Sequence, residues 1–284
     1  MREIDYLREK IRKTGFPLEI EVSSLLRDRW DVLYRESFFD RDEKKIRDID
    51  LRALYSFDVS KLLPLWLDEE LIIECKKTKN FAWVFFTVPM EYAPEESIDG
   101  QYLDEIQIHL KNSNARQLRD IIIGDTRLHY HDFERFAISF DEVYLKGTKG
   151  EYGTGKRQIF AAENQLKKFI AGTHEKSFEE ELHLSEMKRI AVYFPCVVFD
   201  GKIFEVIVEK GELELKKSRH LILTSQYIPS YSTSEQNFLI DIVHKSYFKN
   251  YLKKITRDIT SLSETIIKNR NELIKRIEDV EAIL

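Results

Sequence analysis

At 284 residues, with 43% hydrophobic and 12% aromatic content, the chain can bury a sizeable core and hold one elaborate domain or two. A net charge of −5 and a sequence pI near 5.9 exclude a protein that grips nucleic acid by bulk positive charge, so any such contact must come from a local basic patch. Two cysteines, Cys75 and Cys196, sit in apolar strand-like runs and give neither a disulfide nor a zinc framework, which fits a reducing, cytoplasmic setting.

Residues 1–13 are charged, so no signal peptide is expected, and residues 2–13 read as an amphipathic helix that Gly15 and Pro17 break. Leu18 to Arg29 follows as a second helix. On a wheel of about 100° per residue, Glu19, Val22 and Leu26 fall within about 60° of one another, while Glu21 points away. Glu19 is thereby carried toward the core, where it wants a partner: a metal, or a salt bridge to Arg29, Arg35 or Lys76. Trp30 to Phe38 alternates as a strand, Asp40 to Lys45 is a polar turn, and Arg47 to Leu54 is the second strand. Leu62 to Leu67 is a short apolar connector.

The run Leu71-Ile72-Ile73-Glu74-Cys75-Lys76 comes next. Strand side chains alternate faces, so Leu71, Ile73 and Cys75 point one way and Ile72, Glu74 and Lys76 the other. If this run pairs with the second strand, Asp50 joins Glu74 and Lys76, because cross-strand partners lie about 5 Å apart. Asp48 shares a face with Asp50, but Asp50 lies deeper in the apolar run. A lone surface Glu-x-Lys is usually a solvated pair worth under about 1 kcal/mol. Here the motif ends a buried run, where an ionised group without a partner is expensive. Two converging carboxylates repel unless a cation sits between them. Oxygen-only ligands favour Mg²⁺ (or Mn²⁺), which keeps part of its shell for water and phosphate oxygens. A nearby lysine supplies a point charge for a phosphate and can orient an attacking water.

These residues resemble the PD-(D/E)XK (restriction-endonuclease-like, Holliday-junction-resolvase-like) nuclease superfamily. Asp50 matches the first acid, with Ile49 where a proline often precedes it, and Glu74-Cys75-Lys76 matches the (D/E)-x-K element. Gly15-Phe-Pro-Leu-Glu19 looks like the family's first helix, which carries a glutamate, and Phe81-Ala-Trp83-Val-Phe-Phe resembles the aromatic run after the lysine strand. The resemblance covers residues 15–86 well and 156–225 loosely. It implies an α/β, restriction-endonuclease-like mixed sheet flanked by helices. It also implies that Asp50 and Glu74 ligate Mg²⁺ or Mn²⁺, that the Cys75 backbone carbonyl completes the shell, that Glu19 supports it, and that Lys76 steadies the water or transition state. The implied activity is metal-dependent phosphodiester hydrolysis, with DNA the expected substrate and RNA left open. The alternative is an inactive module on the same fold that binds nucleic acid or a partner protein.

Lys77 and Lys79 follow the motif, where a DNA backbone would approach. Residues 89–155 are mixed and polar and read as an insertion or lid, since core connections are normally short. His129-Tyr130-His131 would put two imidazoles on one face of a strand; with no cysteine or third histidine near, a structural or surface role is expected. Gly147 to Gly155 is glycine-rich without P-loop spacing. Lys156 to Ala171 is a helix with the stripe Ile159, Glu163, Leu166 and Ile170. In the resembling family this helix borders the site, which makes Lys156, Arg157, Gln158 and Gln165 candidate DNA contacts beside Lys77 and Lys79.

Arg189 to Phe199 suits a central buried strand. Its apolar part is interrupted by Pro195 and too short to span a bilayer, so no membrane contact is expected. Asp200-Gly201 and Lys210-Gly211 signal hairpin turns within a meander that ends at Thr224. Ser230 to Glu235 reads as a linker, and the chain is expected to be helical from about Phe238. Leu252, Ile255, Ile259, Leu262 and Ile266 step 3, 4, 3, 4 like a coiled-coil seam, which suggests a homodimer or a partner protein on this helix. The domain reading is a nuclease-like core of 1–88 with 156–235, an insertion at 89–155 and a helical region at 236–284.

Overall fold

The computed structural model describes residues 3–57, 65–92, 126–145, 158–181, 188–230, 236–273 and 275. In chain order these form α1 (Glu3–Ile11), α2 (Phe16–Leu26), β1 (Asp31–Asp40), β2 (Lys45–Phe57), β3 (Leu65–Pro89) and β4 (Arg135–Tyr144), then α3 (Gln158–Glu181), β5 (Lys188–Glu209), β6 (Glu212–Ser218), β7 (His220–Tyr227), β8 (Gln236–His244) and α4 (Phe248–Lys268). Short 3₁₀ turns lie at Met90–Tyr92, His129–Asp132 and Lys245–Tyr247. The eight strands make one mixed sheet, so the chain is α/β with helices packed on its sheet and a long helix near its C-terminus. No described helix is long and apolar enough to cross a membrane.

The sheet is organised around two long parallel strands, β3 and β5. β1 and β2 extend it antiparallel from the first half of β3, and β4 runs antiparallel along the second half. β8 is parallel to β5, β7 antiparallel to β8, and β7 touches β4 at Ala137 and Leu223, so β3, β4, β7, β8 and β5 close into a ring. Residues 192–199 of β5 are buried on both faces, which is why this stretch is apolar on both of its alternating faces apart from Pro195.

Two apolar layers sandwich this sheet. On one face, Leu18, Val22 and Leu26 of α2 and Ile255, Ile259, Leu262 and Ile266 of α4 pack with Leu71, Ile73 and Cys75 of β3. On the other, Ile159, Leu166 and Ile170 of α3 pack with Ile72, Trp83 and Phe85. The predicted alternation of β3 therefore holds. β2 departs from alternation: Ile49 packs under α3, yet Leu51 and Ala53 pack on the opposite face. The reversal falls at Asp50, across from Arg35, whose left-handed backbone (φ 51°) is costly for a residue with a Cβ.

Four expectations change. Asp200-Gly201 makes no hairpin; β5 runs straight through it. A Cβ at residue 201 would stand 2.3 Å from the Phe199 ring, so glycine is needed to pass the Trp83–Phe199 stack. Opposite this point β3 bulges, with Lys77 paired to Asp200 and Ala82 to Lys202. Within the stretch read as an insertion, β4 belongs to the main sheet; residues 93–125 and 146–157 lie outside the described residues. Within the stretch read as helical, residues 236–244 are a central strand, because Ile240, Ile242 and Val243 are β-branched and Phe238, Ile240 and Ile242 share a buried face. Finally, the aliphatic seam of α4 is covered by the protein's own sheet, which removes the unburied stripe that had called for a second chain.

Candidate active site

α2 begins at Gly15 with a proline in its first turn, and the acidic Glu19 stands near its positive end. Leu18, Val22 and Leu26 bury against the sheet and carry Glu19 in with them, while Glu21 stays exposed, as the wheel predicts. β2 and β3 pair regularly from Phe57–Leu67 to Leu51–Ile73. One step further the register would bring Asp50 opposite Glu74, and there the ladder opens.

The carboxylates themselves fill the gap. The Cys75 N–H donates to Asp50 Oδ2 at 2.8 Å, and the Asp50 N–H reaches Glu74 Oε1 at 3.4 Å. Lys76 Nζ donates to Glu74 Oε2 and stands 3.9 Å from Asp50 Oδ2. The three residues named from the motif therefore meet at one point. Glu74 is wholly enclosed, whereas Asp50 and Lys76 keep 19% and 22% of their side chains exposed, so the site opens on their side. Asp48 is not part of it: its carboxylate accepts from Ser37 Oγ at 2.6 Å on the exposed side of β2.

The electrostatics show an unbalanced site. Burial pushes the Glu74 carboxyl up to about 8; Lys76 pulls against this and Asp50 adds to it. Burial would lower the Lys76 ammonium, but Glu74 and Asp50 hold it above its ordinary value. Glu19 is raised by burial and by Asp50, against Arg35 and Lys76. Its Oε2 is 3.8 Å from Arg35 Nε, one of the partners expected for it. Glu19 thus feels the site's charge, but Glu19, Asp50 and Glu74 do not form a group whose ligand atoms all lie within 4.8 Å of one another. The Cys75 side chain turns to the opposite face, where burial keeps the thiol protonated; only its backbone faces the carboxylates.

Of the candidate DNA contacts, Lys79 is exposed on β3 three residues beyond Lys76. Lys77 pairs with Asp200 at 3.2 Å, and Asp200 also with Lys245 at 3.3 Å. Gln165 on α3 donates its amide to the Asp48 carbonyl and so clamps the helix to β2. Gln158 starts α3 with its Oε1 enclosed and without a hydrogen-bond partner. Lys156 and Arg157 lie outside the described residues.

A second polar cluster escaped the sequence reading. His129 and His131 sit in a 3₁₀ turn rather than a strand, so they do not share a face; His131 is exposed and its Nδ1 is 3.1 Å from the Leu128 carbonyl. His129 is fully buried. Its Nδ1 is 2.5 Å from Asp258 Oδ2 on α4, and its Nε2 is 3.1 Å from Asp241 Oδ1 on β8. His220 Nε2 reaches the same Asp241 oxygen at 2.6 Å, and the Tyr251 hydroxyl donates to Asp241 Oδ2 at 2.9 Å. Burial would depress His129, yet Asp241 and Asp258 hold it protonated up to about 9. Burial would raise Asp241, yet the two imidazoles hold it well below the usual carboxylate range. Asp241 inside the apolar run 238–243 and Asp258 beside the α4 seam were the available signals, since a charge in a buried stripe demands a partner.

No protein-family model, curated protein or solved structure matches the chain.

Proposed function

We propose that the chain is a Mg²⁺- or Mn²⁺-dependent nuclease of the PD-(D/E)XK type that hydrolyses phosphodiester bonds, with DNA as substrate. One observation carries this reading: Asp50 and Glu74 converge in the opening between β2 and β3, with the Lys76 ammonium against both and, among the described residues, no second ion pair to either carboxylate. Three carboxylates, counting Glu19, face one lysine at the centre and Arg35 at the edge. An excess of carboxylate oxygen in a largely buried recess fits a hard dication.

When bound, the ion would acidify water and neutralise charge on a phosphoryl group. Asp50 and Glu74 would hold it, with the Cys75 carbonyl at the same level of β3. The Cys75 N–H fixes the Asp50 carboxylate, and the Asp50 N–H does the same for Glu74, so the ligands are preorganised by the strands themselves. Glu19 adds negative charge from α2. Lys76 would then orient the attacking water and stabilise the phosphate in the transition state. Lys79, which is exposed, would supply a contact to the nucleic-acid backbone.

The test is incubation of the purified protein with circular, linear, branched and single-stranded DNA, with Mg²⁺, with Mn²⁺ and with chelator. Metal-dependent cleavage of at least one substrate is expected. Binding without cleavage in every metal would instead favour the inactive nucleic-acid-binding module.

A further inference from the structure

The histidine cluster offers chemistry of a different kind from the carboxylate site. His129, His220 and Asp241 each present a ligand atom, and these atoms lie within 4.8 Å of one another. Both imidazoles aim Nε2 at one oxygen, Asp241 Oδ1, at 3.1 and 2.6 Å. Around a tetrahedral Zn²⁺, with bonds of about 2.0–2.2 Å, ligand atoms stand roughly 3.3–3.4 Å apart. The His129–Asp241 spacing is already close to that, and His220 needs to withdraw by less than about 1 Å.

The surroundings match what a histidine metal site requires. His129 Nδ1 is held by the Asp258 carboxylate at 2.5 Å, the outer-shell bond that fixes the tautomer of a ligating imidazole. Tyr251 holds the other oxygen of Asp241. When His220 Nε2 becomes a ligand the ring keeps its proton on Nδ1, which is enclosed and has no hydrogen-bond partner, so His220 is oriented by packing rather than by an outer-shell bond. Two imidazoles select a borderline transition dication over Mg²⁺.

We propose that His129, His220 and Asp241 form a second metal site that takes Zn²⁺ and fastens the 129–132 turn, β7 and β8 to one another, with α4 tied in through Asp258 and Tyr251. Metal uptake displaces the protons that the two imidazoles now share with the carboxylates. The inference does not depend on the nuclease reading, because no residue is common to the two sites.

The experiment is a titration of the chelator-treated full chain with Co²⁺ and Zn²⁺, read by visible absorption and metal analysis. One Co²⁺ per chain is expected, with the intense visible bands of four-coordinate Co²⁺, displaced by Zn²⁺ and insensitive to excess Mg²⁺. Asp50→Ala should leave this binding intact. His220→Asn should weaken it by more than about 100-fold, beyond the ~10–100-fold that loss of an outer-shell partner costs. No uptake by the wild type, or uptake lost in Asp50→Ala and kept in His220→Asn, would overturn the site. Should His220→Asn not fold, thermal unfolding of the Asp50→Ala chain decides: a rise in Tm with Zn²⁺ supports the site, and an unchanged Tm overturns it.

Discussion

The carboxylate cluster between β2 and β3 and the histidine cluster around β8 are made from similar groups, yet they settle in opposite electrostatic states. In the first, Glu74 rises to about 8 because burial and Asp50 outweigh one lysine. In the second, Asp241 falls well below the usual range because the imidazoles of His129 and His220 outweigh its burial. The first lies where the ladder opens, and two of its three members keep some solvent contact; Asp241 and His129 keep none. A cluster left with excess charge at a break in the sheet is poised to bind something. A cluster whose charges balance inside the core holds the fold together, whether the balancing cation is a proton or a metal.

The largest expected effect concerns α4, whose seam packs on the sheet and which reaches the histidine cluster through Asp258 and Tyr251. Ile259 and Leu262 of α4 are buried at 4% and 0% exposure. Ile259→Asp with Leu262→Asp should unfold the chain, because unpaired buried charges cost several kcal/mol. Circular dichroism and light scattering check this; a folded monomer derived from a wild-type dimer would restore the pairing helix expected from the seam.

Next comes the contrast between the clusters themselves. Asp241→Ala should cost about 3–5 kcal/mol, since it strands a buried imidazolium. Asp50→Ala in metal-free buffer should cost less, about 1–3 kcal/mol, since it leaves the Cys75 N–H without its acceptor but removes a charge that opposes Glu74. Urea midpoints of the two variants decide, and equal losses would erase the distinction between a binding site and a structural one.

Lys76→Ala sharpens the account of the first cluster. Turnover should fall about 100-fold or more while metal affinity stays within a few-fold, because the ammonium is placed as an electrostatic helper rather than a ligand. Calorimetry beside a cleavage assay separates the two. Equal loss of both would reassign Lys76 to holding the carboxylates together.

The smallest effects are in pH dependence, and they have opposite signs. Asp241 is lowered in the folded state, so its contribution is present above its ordinary value of 3.8 and lost as pH falls through its folded pKa. Glu74 is raised, so its contribution is present below 4.5 and lost as pH rises toward about 8. Without metal, Asp241→Asn should therefore remove part of the acid loss of stability, and Glu74→Gln part of the loss between about pH 5 and pH 8. Urea midpoints across that range would contradict the assignment if the two variants behaved alike.

The legibility of the two clusters differs for a physical reason. Asp50, Glu74 and Lys76 could be read because period-two alternation and one hairpin register bring them together, and both are local properties of the chain. The opening of the ladder at Asp50 and the left-handed Arg35 could not be read, since they depend on how β1, β2 and β3 twist past one another. His129, His220, Asp241 and Asp258 come from four separated stretches, and no local pattern joins them. β8 was hidden because a short apolar run fits strand and helix equally by periodicity. The α4 seam announced that a face is buried, but an amphipathic stripe does not say against what.

The central claim is tested most directly by DNA cleavage in Mg²⁺ or Mn²⁺ by the wild type, Asp50→Ala and Glu74→Ala, each checked for folding by circular dichroism. Metal-dependent cleavage by the wild type is expected, with a loss of more than about 100-fold in either folded variant. Undiminished cleavage by either variant would show that the carboxylates between β2 and β3 are not the active site.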